Sequence, residues 1–308
     1  MTAPAATEPV LQVTDLAVEY RMRHGTVRAV NGVSFDIQPG ERLGLAGESG
    51  SGKSTAAMAI MGLIRSPGRV TQGSVVLNGR DVTRLEAEQM RRIRLADMAM
   101  IPQGAMNSLN PVRRVRTHFA DSIRAHSARV GDREVRRRMV ELLGMVDLGE
   151  EVADLYPLEL SGGMKQRVCI ALSICLQPRV IIADEPTSAL DVVMQRQVMQ
   201  TLRAVQETLG AAVLLIGHDM GLLAQFVDRL GVMYEGKLVE LGPVRSVFRE
   251  PLHPYTQVLI RSLPSLDERD PVRAAKIAQS TRVPSAVNAV MTEARPGHWV
   301  AVEEAVSR

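Results

Sequence analysis

Gly47-Glu48-Ser49-Gly50-Ser51-Gly52-Lys53-Ser54 is the stretch on which the reading of this chain turns. It fits the pattern G-x-x-x-x-G-K-[ST]. Glycines let backbone N–H groups wrap closely around a phosphate, and a following helix turns its positive N-terminus toward the same anion. On this reading Gly47, Ser49, Gly50, Ser51 and Gly52 cradle phosphates, and Lys53 reaches the β- and γ-phosphates. Ser54, with Thr55 beside it, offers a hydroxyl to Mg²⁺. The plain alternative is a glycine-rich turn carrying a surface lysine. Context favours the cradle: Arg42 to Ala46 reads as a short strand before it, and Lys53 to Ile64 as an apolar helix after it, stopping before Pro67-Gly68.

A phosphate loop of this kind needs a carboxylate to hold the metal. Val180-Ile181-Ile182-Ala183-Asp184-Glu185 supplies one at the carboxyl end of an apolar strand, where open α/β sheets place their ligands. Asp184 is then the Mg²⁺ carboxylate, and Glu185 the base that polarises an attacking water. Ala212 to Ile216 is a second all-apolar strand, with a helix near 192–208 between the two. Strands apolar on both faces and separated by helices indicate a buried parallel sheet, hence an α/β fold. Farther upstream, the alternation in 10–38 around His24-Gly25 reads as a β-hairpin at a sheet edge, and Val75 to Gly79 as a strand and turn. Residues 84–98 read as a charged helix, 113–155 as an Arg-rich helical insert, and 164–176 as a long apolar helix. The tail from about 265 is poorer in pattern.

Composition sets the outer bounds. The 308 residues, 45% hydrophobic and 23% charged, suffice for a large core, so a disordered chain or a stapled mini-protein is excluded. Aromatics are 3%, so the core rests on aliphatic side chains and Met. The net charge of +3 gives no whole-chain argument for nucleic acid or a membrane surface. Cys169 and Cys175 are too few for a disulfide framework or a metal quartet and read as two buried thiols in a reducing compartment. Met1 to Pro9 lacks the pattern of a signal peptide, and the longest apolar runs are too short to span a bilayer. The expectation is a cytoplasmic chain that something else must hold at any membrane where it works.

Leu160-Ser161-Gly162-Gly163-Met164-Lys165-Gln166-Arg167, placed between the phosphate loop and Asp184, is where the chain closely resembles the ATP-binding cassette (ABC) ATPases. The resemblance covers residues 10–264 and implies a P-loop cassette with an antiparallel β-subdomain, a helical subdomain at about 105–165 and an extension over 265–308. It implies that Ser161, Gly162 and Gly163 contact the γ-phosphate of a nucleotide bound by another cassette, and that Asp191, in Ser188-Ala189-Leu190-Asp191, belongs to a loop crossing that interface. Tyr20 matches the aromatic that stacks on adenine, with an ordinary strand tyrosine as the alternative. Gln103 matches the glutamine that senses Mg²⁺ and links the site to a transmembrane partner, although Pro102 and Gly104-Ala105 depart from the usual neighbours. His218 matches the histidine that contacts the γ-phosphate and orders Glu185.

The likeness narrows further. Thr26 to Phe35, Asn107 to Val112, Leu160 to Val168 and Pro251-Leu252-His253-Pro254-Tyr255-Thr256 resemble the oligopeptide/dipeptide/nickel importer branch, in its D-type ATPase. This implies an ATP- and Mg²⁺-dependent subunit working as a nucleotide sandwich with a second ATPase. Two permeases and an extracytoplasmic binding protein complete the assembly, at the cytoplasmic face of the membrane and without nucleic acid. Many members of the branch hold an iron–sulfur cluster on cysteines of the extension. Ile277 to Val306 has none, though Gly297-His298-Trp299-Val300-Ala301 resembles the end of that extension, so no cluster is expected. Arg133 to Arg138 reads either as a solvated face or as a patch near lipid headgroups. The competing readings are a soluble ABC ATPase of nucleic acid or ribosomes, a regulatory cassette without turnover, and an importer of nickel, metallophore or oligosaccharide.

Overall fold

Asp15 adopts φ 51°, and this one residue shapes the first sheet. Before it, Leu11 and Val13 alternate inward. After it the register shifts, so that Leu16, Ala17 and Val18 are all buried. The structure, a computed structural model, describes residues 8–127, 129–188, 190–262 and 289–303. In chain order these form β1 (Leu11–Met22), β2 (Gly25–Ile37), β3 (Arg42–Ala46), α1 (Lys53–Ile60), β4 (Gly68–Leu77), β5 (Arg80–Asp81), α2 (Ala87–Ile93) and β6 (Met98–Ile101). Then come α3 (Val115–His126), α4 (Asp132–Met145), α5 (Gly162–Ser173), β7 (Val180–Asp184), α6 (Val192–Leu209), β8 (Ala212–Ile216), α7 (Met220–Phe226), β9 (Arg229–Tyr234), β10 (Lys237–Pro243), α8 (Val244–Arg249), α9 (Pro254–Arg261), β11 (Ala289–Arg295) and β12 (His298–Glu303).

The chain forms two compact units. One contains Leu11–Ile37, Glu41–Thr83 and the chain from Leu215; the other contains Gln38–Gly40, Arg84–Leu214 and the N-terminal residues to Val10. In the first, the antiparallel sheet runs β2-β1-β4-β5, so the expected hairpin has β2 at the edge and β1 inside. A second set of strands runs β11-β12-β10-β9-β3. There β3 lies parallel to β9, with Leu45 opposite Gly231, and each neighbouring pair along β9, β10, β12 and β11 is antiparallel. The Arg42 guanidinium grips the Asp228 carboxylate with both Nε and Nη2, at 3.1 and 2.8 Å, and so fixes the starts of β3 and β9.

In the other unit β6 and β7 are parallel, Met98 opposite Val180 and Ile101 opposite Ala183. Phe119, Ile123, Val135, Met139 and Leu143 turn inward from α3 and α4, at helical spacing. Arg167 of α5 is buried and donates to the carbonyls of Val146 and Asp147, tying the end of α4 to α5. The Arg-rich face of α4 is largely exposed, and three of its arginines pair with carboxylates. Arg137 and Arg138 share Glu134, holding its carboxyl down at about 2, and Arg136 pairs with Glu150.

Three sequence readings are corrected. The helix expected over 84–98 is only α2, because Arg94 leaves helical geometry and Leu95 takes φ 72°. The helix expected to reach Ile64 stops at Ile60: Gly62 donates to the Ala59 carbonyl and Leu63 to that of Met58, a Schellman cap. The tail is not pattern-poor throughout, since β11 and β12 form a hairpin; the remainder of the tail, 263–288 and 304–308, lies outside the described residues.

Both thiols are buried, and burial pushes Cys169 up to about 11 and Cys175 up to about 12. The native thiols are therefore expected to react with iodoacetamide near neutral pH on the order of 100-fold more slowly than in the unfolded chain. Equal rates would contradict their burial.

Candidate active site

The phosphate loop leaves β3 at Ala46 and enters α1 at Lys53. Gly47 sits at φ 148° and Gly52 at φ 102°, and a Cβ on either would overlap a backbone carbonyl, that of Met233 or of Ala29. Only glycine fits at both positions, so the pattern is a steric requirement of this loop. Ser51 accepts from the Gly236 N–H at 3.1 Å through its carbonyl. Lys53 is 4% exposed, and its ammonium donates to the carbonyls of Gly47 and Glu48 and the hydroxyl of Ser51, at 2.8, 2.7 and 3.1 Å. These three contacts hold the ammonium against the loop backbone. Ser49 and Gly50 are exposed at its tip, and Ser54 and Thr55 are half-buried in the first turn of α1. That turn carries no acidic side chain, so its positive end is not neutralised from within. This cradle suits a phosphate.

Two further expected residues lie in the same unit. Tyr20 is half-buried on β1, its ring against Gly68, where a Cβ would come within 2.7 Å of Cε1. His218 is exposed just after β8, next to Asp219, whose carboxylate caps α7 by accepting from the Leu222 N–H at 3.0 Å.

The other unit brings Gln103 and Glu185 together. Because Ile101 pairs with Ala183 across the parallel strands β6 and β7, residues two places further on emerge side by side. Gln103 Nε2 donates to Glu185 Oε2 at 3.0 Å. Asp184 ends β7 and is 3% exposed, whereas Glu185 turns out of the strand at φ 47°. A left-handed conformation in a non-glycine residue costs of order 1–3 kcal/mol and is found where surrounding structure enforces it. The unusual neighbours of Gln103 make a tight turn: Gly104 takes φ 65°, a 3₁₀ turn follows over Ala105–Asn107, and Cys169 Sγ donates to the Ala105 carbonyl.

Ser161 caps α5, its hydroxyl accepting from the Met164 N–H at 3.3 Å. Ser161 and Gly162 are exposed, while Gly163 is buried where a Cβ would overlap the Met194 methyl, so close packing with α6 accounts for that glycine. Asp191 caps α6 by accepting from the N–H groups of Val193 and Met194, both at 3.0 Å. Val192 and Val193 just beyond it are exposed; Ala189 lies outside the described residues.

Sequence reasoning quoted Tyr255 only as a family marker. Its phenol oxygen accepts from the Glu48 N–H at 3.0 Å, and its ring lies against that of Tyr234, centroids 4.3 Å apart. Burial pushes its hydroxyl up to about 12, so it faces the loop as a neutral group. In the sequence Tyr255 falls in helical register with Leu252, Val258 and Leu259 and so reads as an ordinary apolar-face residue; its contact with the loop is long-range.

The profile of the ABC transporter family matches residues 30–188, and that of the oligopeptide/dipeptide transporter C-terminal region matches 239–289. The dipeptide transport ATP-binding protein DppD of Haemophilus influenzae is 44% identical over 262 residues, 84% of this chain and 79% of its own. Its counterpart in Caldanaerobacter subterraneus is 42% identical over 255 residues, 82% and 78%. Among solved structures, the dimeric post-hydrolysis state of the ATP-binding cassette MJ0796 bound to ADP and Pi superposes with a TM-score of 0.68 at 28% identity, covering 76% of this chain and 99% of that one. The chain therefore belongs to the ABC transporter family, and it is an ATPase built on the P-loop cassette. Within that family its C-terminal part places it with transporters of the oligopeptide/dipeptide type.

Proposed function

We propose that this chain hydrolyses ATP to power import of peptides or a related small solute, in a nucleotide sandwich with a second ATPase subunit on two membrane permeases fed by an extracytoplasmic binding protein. The observation that carries this is the pairing of an ABC match at 30–188 with an oligopeptide/dipeptide C-terminal match at 239–289 in one chain. Among the described residues no helix is long and apolar enough to cross a membrane, so the permeases would hold the chain at the cytoplasmic face. In this reading residues 1–264 form the cassette and 265–308 the extension. All cysteine in the chain is at 169 and 175, which leaves the extension no thiol for an iron–sulfur cluster.

Roles follow residue by residue. Tyr20 stacks on the adenine. Gly47, Ser49, Gly50, Ser51, Gly52 and Thr55 take the phosphates, and Lys53 exchanges its loop carbonyls for phosphate oxygens. Ser54, Gln103 and Asp184 are hard oxygen donors of the kind Mg²⁺ prefers; with phosphate and water ligands, one carboxylate is enough. By the family resemblance these three positions are the ones that would serve magnesium, which would supply positive charge to the β- and γ-phosphates. Glu185 takes the proton of the attacking water, held for this by Gln103, and His218 steadies the γ-phosphate. Ser161, Gly162 and Asp191 serve the partner cassette's nucleotide.

Purification of the tagged chain from native membranes in mild detergent tests the assembly. A second ATPase and two permeases should come with it. Recovery with ribosomes or nucleic acid, and no permease, would overturn the importer while leaving the ATP site standing.

A further inference from the structure

Glu240 lies in the middle of β10, wholly buried, and both its carboxylate oxygens accept hydrogen bonds. One oxygen accepts from the Leu252 N–H at 2.9 Å and from His298 Nε2 at 2.8 Å; the other accepts from the His253 N–H at 2.9 Å. His298 opens β12 and is itself buried. Facing a carboxylate oxygen, its Nε2 is the donor nitrogen. A buried carboxylate left short of a donor is costly, so these three contacts must be kept together.

The same residues lead to the phosphate loop. His253 Nδ1 caps α9 by accepting from the Tyr255 N–H at 3.2 Å, which sets the first turn of that helix. From that turn Tyr255 reaches Glu48, the second residue of the loop, and accepts its N–H at 3.0 Å. A continuous path of polar contacts, buried at Glu240, His253 and His298, thus runs from the C-terminal hairpin through the start of α9 to the loop. Every member lies in one compact unit.

We propose that Tyr255 is a positioning residue for the phosphate loop, and that the His298–Glu240 contact sets its position from the C-terminal hairpin. The proposal rests on the reading of Gly47 to Ser54 as the ATP phosphate loop. The Glu48 N–H is engaged by Tyr255, a residue outside the loop. The loop is therefore braced from outside, and its inward-facing donors stay arranged before nucleotide arrives. The C-terminal segment then tunes nucleotide affinity without touching nucleotide.

The test uses the full chain with a fluorescent ATP analogue for affinity and the assembled complex for hydrolysis. Tyr255→Phe keeps the ring against Tyr234 and removes only the oxygen. It should weaken nucleotide affinity about three- to tenfold, as for loss of one hydrogen bond. KM for ATP should rise with kcat nearly unchanged, whereas a merely structural defect would lower kcat and melting temperature and leave KM alone. His298→Ala should weaken affinity in the same direction, and His298→Gln, which can still donate to Glu240, should recover much of the loss. The double change of Tyr255→Phe and His298→Ala should be clearly less than additive. Unchanged affinity in Tyr255→Phe, or additive effects, overturns the proposal. Lys53→Ala separates the two failures: if it too leaves affinity unchanged, the phosphate-loop reading itself falls.

Discussion

Replacing Glu185 with glutamine is expected to slow ATP hydrolysis about 10²–10⁴-fold, as for loss of a general base, with nucleotide binding retained. That corresponds to roughly 3–5 kcal/mol of transition-state stabilisation. The substitution is conservative in every respect but one. Glutamine has the same length, and its carbonyl oxygen can still accept from Gln103 Nε2, now at 3.0 Å from Glu185 Oε2. It also bears the left-handed backbone at φ 47° about as well as glutamate does. What it lacks is a basic carboxylate. The effect should therefore fall on kcat and spare affinity. Turnover near the wild-type rate in the assembled complex would remove Glu185 from the role of base. Gln103→Ala supplies a graded companion: it leaves the Glu185 carboxylate chemically intact and removes only the contact from Gln103 Nε2 and the Gln103 oxygen proposed for magnesium, so a smaller loss is expected.

Lys53→Ala should lower ATP affinity by roughly two orders of magnitude, since charged hydrogen bonds are among the strongest single contacts. Two losses combine. The phosphates lose a cation, and the loop loses the ammonium on which Gly47, Glu48 and Ser51 converge. Lys53→Arg should also bind poorly, because a planar guanidinium cannot occupy a pocket shaped around a compact ammonium. The melting temperature distinguishes a collapsed loop from a lost ligand contact. Undiminished affinity in a well-folded Lys53→Ala protein would refute the assignment of the loop.

The features legible in the sequence are those whose physics is local. Gly47 and Gly52 announce themselves because only glycine can hold their backbone against Met233 and Ala29. The strands β7 and β8 are legible as apolar runs because they are buried throughout. The hairpin of β1 and β2 shows through its alternation, although the bulge at Asp15 does not. Local signals also mark features misplaced or passed over in the sequence reading. Gly62 is a helix-ending glycine, although the apolar run continues to Ile64. The hairpin of β9 and β10 turns on Glu235-Gly236, at φ 48° and 77°, a tight-turn pair that alternation on either side could have flagged.

What the sequence hides is long-range. Nothing near residue 103 or 185 says that they will touch; the register of Ile101 against Ala183 decides it. Nor does a glutamate at 240 declare that a histidine at 298 and the backbone at 252 and 253 will converge on it. The site was legible as a set of residue types, through resemblance; the supports of its phosphate loop became visible only once β10, β12 and α9 were in place.

The most direct test of the central claim is the ATPase rate of the complete complex in proteoliposomes, with and without binding protein loaded with peptide. Hydrolysis should rise when the loaded binding protein is added and fall to background with Glu185→Gln in this chain. Hydrolysis that persists but is indifferent to every loaded binding protein, and is instead stimulated by nucleic acid or ribosomes, would contradict the account.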